Sequence, residues 1–404
     1  MKTEEIGDGP PSSRGRFAPA RIARAGEILD LVRRGQATTL AHLSEHLGLA
    51  RSTVNDRVEA LLASGMLTTS EPSGGSRGRP AVGLEFNPRS GTTLAAQLGI
   101  SGVRIAVTDL AGDILTSEMI EIDLADPLAD VLRQVTRAFA RSLRELGEDV
   151  ASVHGIGFGL PARVELAAHA GSADRWTEDT VTAELQQWLD VPVFVDHDVN
   201  LLAFGELCAR ESDPEALLSL KVGTVIGCGL VVNGRVVQGA SGMAGEIGHT
   251  RVGDSQAPCS CGNVGCLNAV ASGAAVARRL REQGVDAPNA RAVAELARAG
   301  HVEAGRAVRA AGRDIGDVLA GAVNLLNPAA ITLWGYLAEA GDQLSAGIRE
   351  GIARSALSGP AAAVTIEPAT LGADAGLYGA AMMVIEQALQ PASVDAYLIA
   401  TRTG

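Results

Sequence analysis

Gly245-Glu-Ile-Gly-His249-Thr-Arg-Val-Gly-Asp-Ser-Gln-Ala-Pro-Cys259-Ser-Cys261-Gly-Asn-Val-Gly-Cys266 is the stretch on which the reading of this 404-residue chain turns. Three thiols and one imidazole supply four soft or borderline ligands, the number a closed tetrahedral Zn²⁺ site requires. Gly262 and Gly265 allow the tight loop that turns the sulfurs inward. Four protein ligands leave no position for water, so one structural zinc per chain is expected on His249, Cys259, Cys261 and Cys266, rather than a hydrolytic centre. Cys208 and Cys228 sit singly in apolar surroundings and read as buried thiols. An odd count of five cysteines, three of them clustered, suits a reducing compartment better than a disulfide framework.

Outward from the cysteines lie glycine-rich motifs and alternating strand-like and helical runs. Upstream are Gly155-Ile-Gly-Phe-Gly-Leu-Pro161, Asp196-His-Asp-Val-Asn200 with Gly205-Glu206, and Gly223-Thr-Val-Ile-Gly-Cys-Gly229. Strand-like stretches at 92–100, 103–109 and 114–118 precede a helix near 128–146; strands at 153–158 and 193–196 and a helix from Val199 complete one set. A second set opens with strands at 217–221 and 225–232, where Asn233-Gly234 is a hairpin signal. A long helix near 302–326, strands at 331–333 and 364–367, and a helix from Ala373 to Leu389 follow. Strands followed by helices, twice over, imply two α/β lobes with a cleft between them.

The first 90 residues have a different character. Ile22, Ala25, Ile28, Leu29 and Val32 fall at helical spacing, and a second helix follows Thr38 and Thr39 with Leu40, Leu43 and Leu47. After Gly48, a third from Arg51 to Leu62 turns Val54, Val58, Leu61 and Leu62 inward and Arg51, Ser52, Thr53, Asn55 and Arg57 outward. Three short helices with a glycine turn between the second and third are the helix-turn-helix pattern, and the outward residues are its expected DNA contacts. Two strand-like runs flank Gly74-Gly-Ser-Arg77-Gly78-Arg79-Pro80. Read alone, this loop fits a solvated linker. Behind a helix-turn-helix it reads as a wing whose arginines enter the negative potential of a minor groove while glycine lets the backbone lie flat.

Charge supports that division. The net charge of −13 argues by itself against a polyanionic partner, but it is an average of unlike parts. Arg14–Arg89 carries 11 basic and 7 acidic residues, +4, whereas Ser90–Gly404 carries 22 and 37, −15. Only 3% of residues are aromatic, too few for the stacking platforms of single-strand binders, so the expected nucleic acid is duplex DNA. Neither a signal peptide nor a membrane span is expected: Met1 is followed by Glu4, Glu5 and Asp8, and Asn324, Asn327 and Pro328 interrupt the long uncharged stretch at 318–338. A cytoplasmic location follows. The expected division is a flexible leader (1–18), a winged helix-turn-helix (19–88), a two-lobed body (89–390; lobe one about 89–200 plus 373–389, lobe two about 201–372) and a frayed tail (391–404).

Taken together, the five body motifs, in their order and spacing, resemble the ROK family of sugar kinases and sugar-responsive repressors, and the likeness covers nearly the whole chain. The resemblance implies an actin-like, ribonuclease-H-like fold of two lobes, and the attached winged helix is that of the repressor branch. It implies that Asp198 corresponds to the sugar-contacting aspartate that acts as general base in the kinases. Glu246 and His249 correspond to ligands of sugar hydroxyls, with His249 shared between sugar and zinc. An aspartate before a helix is equally a cap when read alone. His197 and Asn268 stand in the sugar site where the family has Asn and Glu, which points to a different sugar or to none.

Other departures bear on activity. Where the kinases carry Asp-x-Gly-Gly-Thr, this chain has Gln97-Leu-Gly99-Ile100-Ser101, without the carboxylate a Mg²⁺ site needs. Trp334-Gly335-Tyr336 replaces a triple glycine, and the two aromatic rings are expected to fill the nucleotide's space. The chain is therefore expected to have no catalytic residues and to be a DNA-binding regulator, a repressor rather than an activator, tuned by a carbohydrate in the cleft. As a homodimer or homotetramer it would meet a palindromic operator. The alternatives are an ATP-dependent sugar kinase with an accessory DNA-binding domain and a regulator that binds no ligand.

Overall fold

The computed structural model describes residues 22–70, 83–99, 102–161, 176–210 and 214–400. The chain divides into two units, one of residues 1–90 with 386–404 and one of residues 91–385. The first opens with helices α1 (Ala25–Arg33), α2 (Leu40–Leu47) and α3 (Arg51–Ala63). Thr39 caps α2 by accepting from the His42 N–H, and Gly48, left-handed at φ 62°, ends it and turns the chain into α3. Ile28, Leu43, Val54 and Leu61 are fully buried. Strands β1 (Leu67–Ser70) and β2 (Gly83–Phe86) pair antiparallel, from Leu67 opposite Phe86 to Ser70 opposite Gly83. Three helices and a two-stranded sheet make a winged helix-turn-helix. The wing tip, with Arg77, Gly78 and Arg79, and the leader at 1–18 lie outside the described residues.

In the second unit, β3 (Thr92–Leu98) is buried along its whole length because it is the middle strand of a five-stranded sheet in the order β5-β4-β3-β6-β7. Its partners are β4 (Gly102–Asp109) and β6 (Val153–Leu160), with β5 (Ile114–Glu121) and β7 (Val193–His197) at the edges. The outward residues of β5 alternate with half-buried ones, as an edge strand requires. Helix α4 (Leu128–Leu146) lays Val131, Leu132, Val135, Phe139 and Leu143 into this core at turns of three and four residues, and α5 (Glu178–Trp188) joins it.

After α6 (Asp198–Cys208), a second sheet repeats the plan in the order β10-β9-β8-β11-β12, three antiparallel strands and then two parallel ones. Its strands are β8 (Ala216–Val222), β9 (Ile226–Val232), β10 (Arg235–Val236), β11 (Ala330–Trp334) and β12 (Thr365–Pro368). Helices α7 (Leu267–Ala271), α8 (Gly273–Glu282), α9 (Ala290–Arg298), α10 (Val302–Leu326), α11 (Asp342–Ser355) and α12 (Ser358–Ala363) surround it, and Ile315, Leu319 and Val323 of α10 share its core with Ile331 and Ile348. Two sheets of one topology are the two lobes of the actin-like fold. Helix α13 (Ala375–Ala388) packs its backbone against β6.

The last described element corrects an expectation. Residues 391–400, read as a frayed tail, form α14 (Pro391–Ala400), which packs on α1 with Val394 and Leu398 fully buried. Pro391 is pre-organised for a first helical turn, and the i,i+4 pair Val394/Leu398 supplies the apolar stripe. Asp395 of α14 then serves α1, whose start has no cap of its own. Its carboxylate accepts from the Arg24 N–H at 2.7 Å and the Gly26 N–H at 2.8 Å. At Gly26 a Cβ would fall 2.2 Å from the Pro391 carbonyl oxygen, so only glycine permits this approach. Asp395→Ala is expected to cost about 1–2 kcal/mol in the DNA-binding unit, measured as faster hydrogen exchange of the α1 amides. Unchanged protection would show that the carboxylate does not cap α1.

Candidate functional site

The cleft side chains sit where strands end. Asp196-His197-Asp198 spans the last residues of β7 and the first of α6. Asp196 braces the turn: its carboxylate accepts from the His197 N–H and Asn200 Nδ2, both at 2.7 Å, and from Gln238 Nε2 at 2.8 Å. That leaves Asp198 as the acid of the cleft, buried at 5% side-chain exposure in the first turn of α6, where the helix dipole favours negative charge. Lys221, near the end of β8, donates from Nζ to Asp198 Oδ2 and lies 5.7 Å from the centre of the Trp334 ring. Beside this pair opens a cleft of about 320 Å³, walled by Leu98, Arg104, Thr224, Trp334 and Tyr336 among others.

Trp334 and Tyr336 line this space. The indole Nε1 of Trp334 donates to the Gly372 carbonyl at 2.7 Å, which lays the ring along the wall, and Tyr336 is 41% exposed. A hydrogen bond within the wall fixes the larger of them at its side.

Glu246 and His249 come from the turn that follows β10. Gly245, at φ 88°, lets this turn press on β9, for a Cβ there would fall 1.7 Å from the Cys228 carbonyl oxygen. Burial raises the pKa of Glu246 above its ordinary value; the charge of His197 opposes the shift and that of Asp198 adds to it. His197, Asp198 and Glu246 thus share one electrostatic neighbourhood. Glu246 Oε2 lies 3.9 Å from His249 Nε2, and burial lowers the pKa of that imidazole. Asn268, expected among the sugar ligands, is buried, and its Oδ1 accepts from the Ile226 N–H at 2.7 Å. It pins β9 to the start of α7.

The other imidazole nitrogen of His249 faces sulfur. Nδ1 lies 3.6 Å from Cys259 Sγ, Cys261 Sγ lies 3.6 Å from Cys266 Sγ, and the ligand atoms of all four residues fall within 4.8 Å of one another. Metal–sulfur bonds of about 2.3 Å in a tetrahedron set S···S edges of about 3.8 Å, so the donor set fits a four-coordinate metal. Short antiparallel bridges, Arg251 with Cys266 and Pro258 with Val264, frame the loop. Cys228, by contrast, is fully buried, and burial pushes its thiol up to about 12, leaving it protonated.

On the DNA-binding unit, Arg51 and Ser52 are exposed at the start of α3 and Thr53 is half-buried. Asn55 donates to Glu59 Oε1 at 2.6 Å. Arg57, expected to face outward, is only 6% exposed. Its guanidinium donates to the Ala23 carbonyl and, at 3.1 Å, to the Thr53 carbonyl. It lies three residues after Val54 and four before Leu61, on the buried face of α3. Sequence reasoning also passed over Lys221, although a single charge in the apolar strand Leu217-Leu-Ser-Leu-Lys-Val222 was a signal.

The profile of the ROK family matches residues 93–387, and that of the IclR helix-turn-helix domain matches residues 22–71. The chain is similar to a xylose repressor of Bacillus subtilis (strain 168), 25% identical over 369 residues that cover 90% of this chain and 94% of the repressor. It is also similar to a glucokinase of Halalkalibacterium halodurans, 29% identical over 314 residues, 73% of this chain and 95% of the kinase. A solved ROK family transcriptional regulator, described as a homolog of the E. coli MLC protein, superimposes with a TM-score of 0.73 at 25% identity, over 95% of this chain and all of that one. A ROK family glucokinase from Streptomyces griseus, in complex with glucose and AMPPNP, gives 0.62 at 26% identity over 72% of this chain and 99% of the kinase.

The two arginines of α3 should behave differently. Arg57→Ala removes hydrogen bonds to two backbone carbonyls and is expected to destabilise the N-terminal unit by about 1–3 kcal/mol, whereas Arg51→Ala should leave its thermal unfolding unchanged. An Arg57→Ala protein of unaltered stability would return that side chain to the outer face.

Proposed function

The chain belongs to the ROK family, and on that premise we propose that it is a sugar-responsive DNA-binding repressor. Its N-terminal unit holds an operator, and a carbohydrate bound in its body sets operator affinity. The observation that carries this reading is the extent of the likenesses: the xylose repressor is matched over 90% of this chain, through both units, while the glucokinase is matched over 73%. Arg51, Ser52, Thr53 and Asn55 at the start of α3 are the base-reading and phosphate-binding candidates, with Arg77, Gly78 and Arg79 as the minor-groove probe. The protein acts as a homodimer or homotetramer on a palindromic site.

Asp198, Glu246, His249 and His197 are the sugar ligands, since carboxylates and imidazoles pair with vicinal hydroxyls that both donate and accept. His249, Cys259, Cys261 and Cys266 would hold one structural zinc, which supplies no open coordination position and braces the turn that carries Glu246. Phosphotransfer is not part of the function. Gln97 lines the cleft without the charge a magnesium site requires, and Asp198, the would-be base, is paired with Lys221. Ile100, the other expected obstacle, lies outside the described residues.

Metal analysis of purified protein should return about one zinc per chain, lost in Cys261→Ser; a metal-free, fully stable protein would refute the zinc assignment. Replacing Arg77 and Arg79 by Ala should lower the slope of operator affinity against salt by about two phosphate contacts, and an unchanged slope would remove the wing from the interface. Genome-wide capture of bound DNA tests the whole reading. Palindromic sites beside carbohydrate genes are expected, and the absence of any sequence preference would overturn it.

A further inference from the structure

Arg51, Asn55 and Glu59 stand four residues apart on α3, so they share one stripe of the helix. Arg51 and Glu59 are exposed and Asn55 is half-buried. Glu59 is out of keeping with an operator-binding surface: it sets a carboxylate on the helix that approaches phosphate, where like charge repels it. Among the described residues its hydrogen-bond partner is Asn55, whose Nδ2 donates to Glu59 Oε1 at 2.6 Å.

That bond settles how the amide is turned. An ionised carboxylate can only accept, so Asn55 must point its nitrogen toward Glu59 and its carbonyl oxygen, Oδ1, away. One of the two Nδ2 hydrogens is committed, which leaves one donor beside one acceptor. The major-groove edge of adenine is the complement of that pair, since its N7 accepts and its N6 amino group donates. Guanine presents two acceptors there, N7 and O6. An unrestrained asparagine can direct its nitrogen hydrogens at both, but with one of them held by Glu59 its Oδ1 would face O6, acceptor against acceptor. Cytosine N4 and thymine O4 offer a single hydrogen bond each.

Resting on the DNA-binding reading above, we propose that Asn55 reads an adenine in each operator half-site, and that Glu59 is the positioning residue that confines it to adenine over guanine. Asn55 lies in the N-terminal half of α3, the part of a recognition helix that meets base edges. Glu59 acts on the base through the Asn55 amide. Its two effects are separable: repulsion from phosphate lowers affinity for every sequence alike, whereas the hydrogen bond to Asn55 sorts one base from another.

Selection from a pool of random-sequence duplex DNA tests this with the full-length protein as wild type, Asn55→Ala, Glu59→Ala and the double variant, followed by affinities for the selected site and its single-base variants at one salt concentration. Alanine favours the helix at such outer positions, so thermal unfolding of the variants should match the wild type. The wild type should select one adenine per half-site and disfavour guanine there by about 5- to 150-fold. Asn55→Ala should lose the preference at that position and at no other. Glu59→Ala should bind every sequence more tightly and accept guanine there nearly as well as adenine, whereas removing Glu59 in the Asn55→Ala background should leave base preference unmoved. Three results would each overturn the proposal and leave the DNA-binding reading standing: no position whose preference depends on Asn55; a Glu59→Ala protein that still rejects guanine; or a cytosine preference that vanishes with Glu59 in the Asn55→Ala background, which would make Glu59 itself the reader. If the wild type selects no common sequence at all, both fall.

Discussion

One imidazole holds the candidate site together. His249 presents Nδ1 to the Cys259 sulfur at 3.6 Å and Nε2 to the Glu246 carboxylate at 3.9 Å, so the ring beside the cysteine loop also belongs to the turn that carries Glu246. That turn can be positioned only because Gly245 lets it press on β9 and because Asn268 ties β9 to the end of the same loop. On the opposite side, the Asp196 brace sets the first turn of α6 and with it Asp198. A buried ionisable group is stable only when its neighbours are fixed, and here the neighbours come from four separate segments. The cysteine cluster and Glu246 thus share one imidazole.

Those features were legible because chemistry-bearing residues stood at tight spacing. His249, Cys259, Cys261 and Cys266 converge as their sequence pattern implies, and Asp198 is where an Asp-x-Asp between strand and helix would put it. What the sequence hid depended on partners far along the chain. Arg57 lies at an angle on α3 that apolar spacing left open, and the Ala23 carbonyl decides that it turns inward. Asn268 has a backbone partner, the Ile226 N–H, that its neighbours in sequence do not announce. Trp334 likewise has a distant partner, the Gly372 carbonyl, to which its indole donates.

The C-terminus repeats the lesson on the scale of an element. Ten residues with few charges read as an end that frays, but α14 gains its stability from α1, a contact almost the full length of the chain away in sequence. Asp395 gives the first helix the cap that its own sequence does not encode. Charge, by contrast, was readable from the start once it was divided. The +4 of Arg14–Arg89 and the −15 of the remainder suit a protein that meets phosphate through its N-terminal unit and repels it elsewhere.

The coupling of sugar to operator is measured most directly by fluorescence anisotropy of a labelled operator titrated with protein, at one salt concentration, with and without saturating effector. A sugar-responsive repressor should lose operator affinity by between about 5- and 150-fold when the effector is present, and Asp198→Asn should keep the affinity of the free protein while losing the response. Operator affinity indifferent to every free and phosphorylated sugar would contradict it.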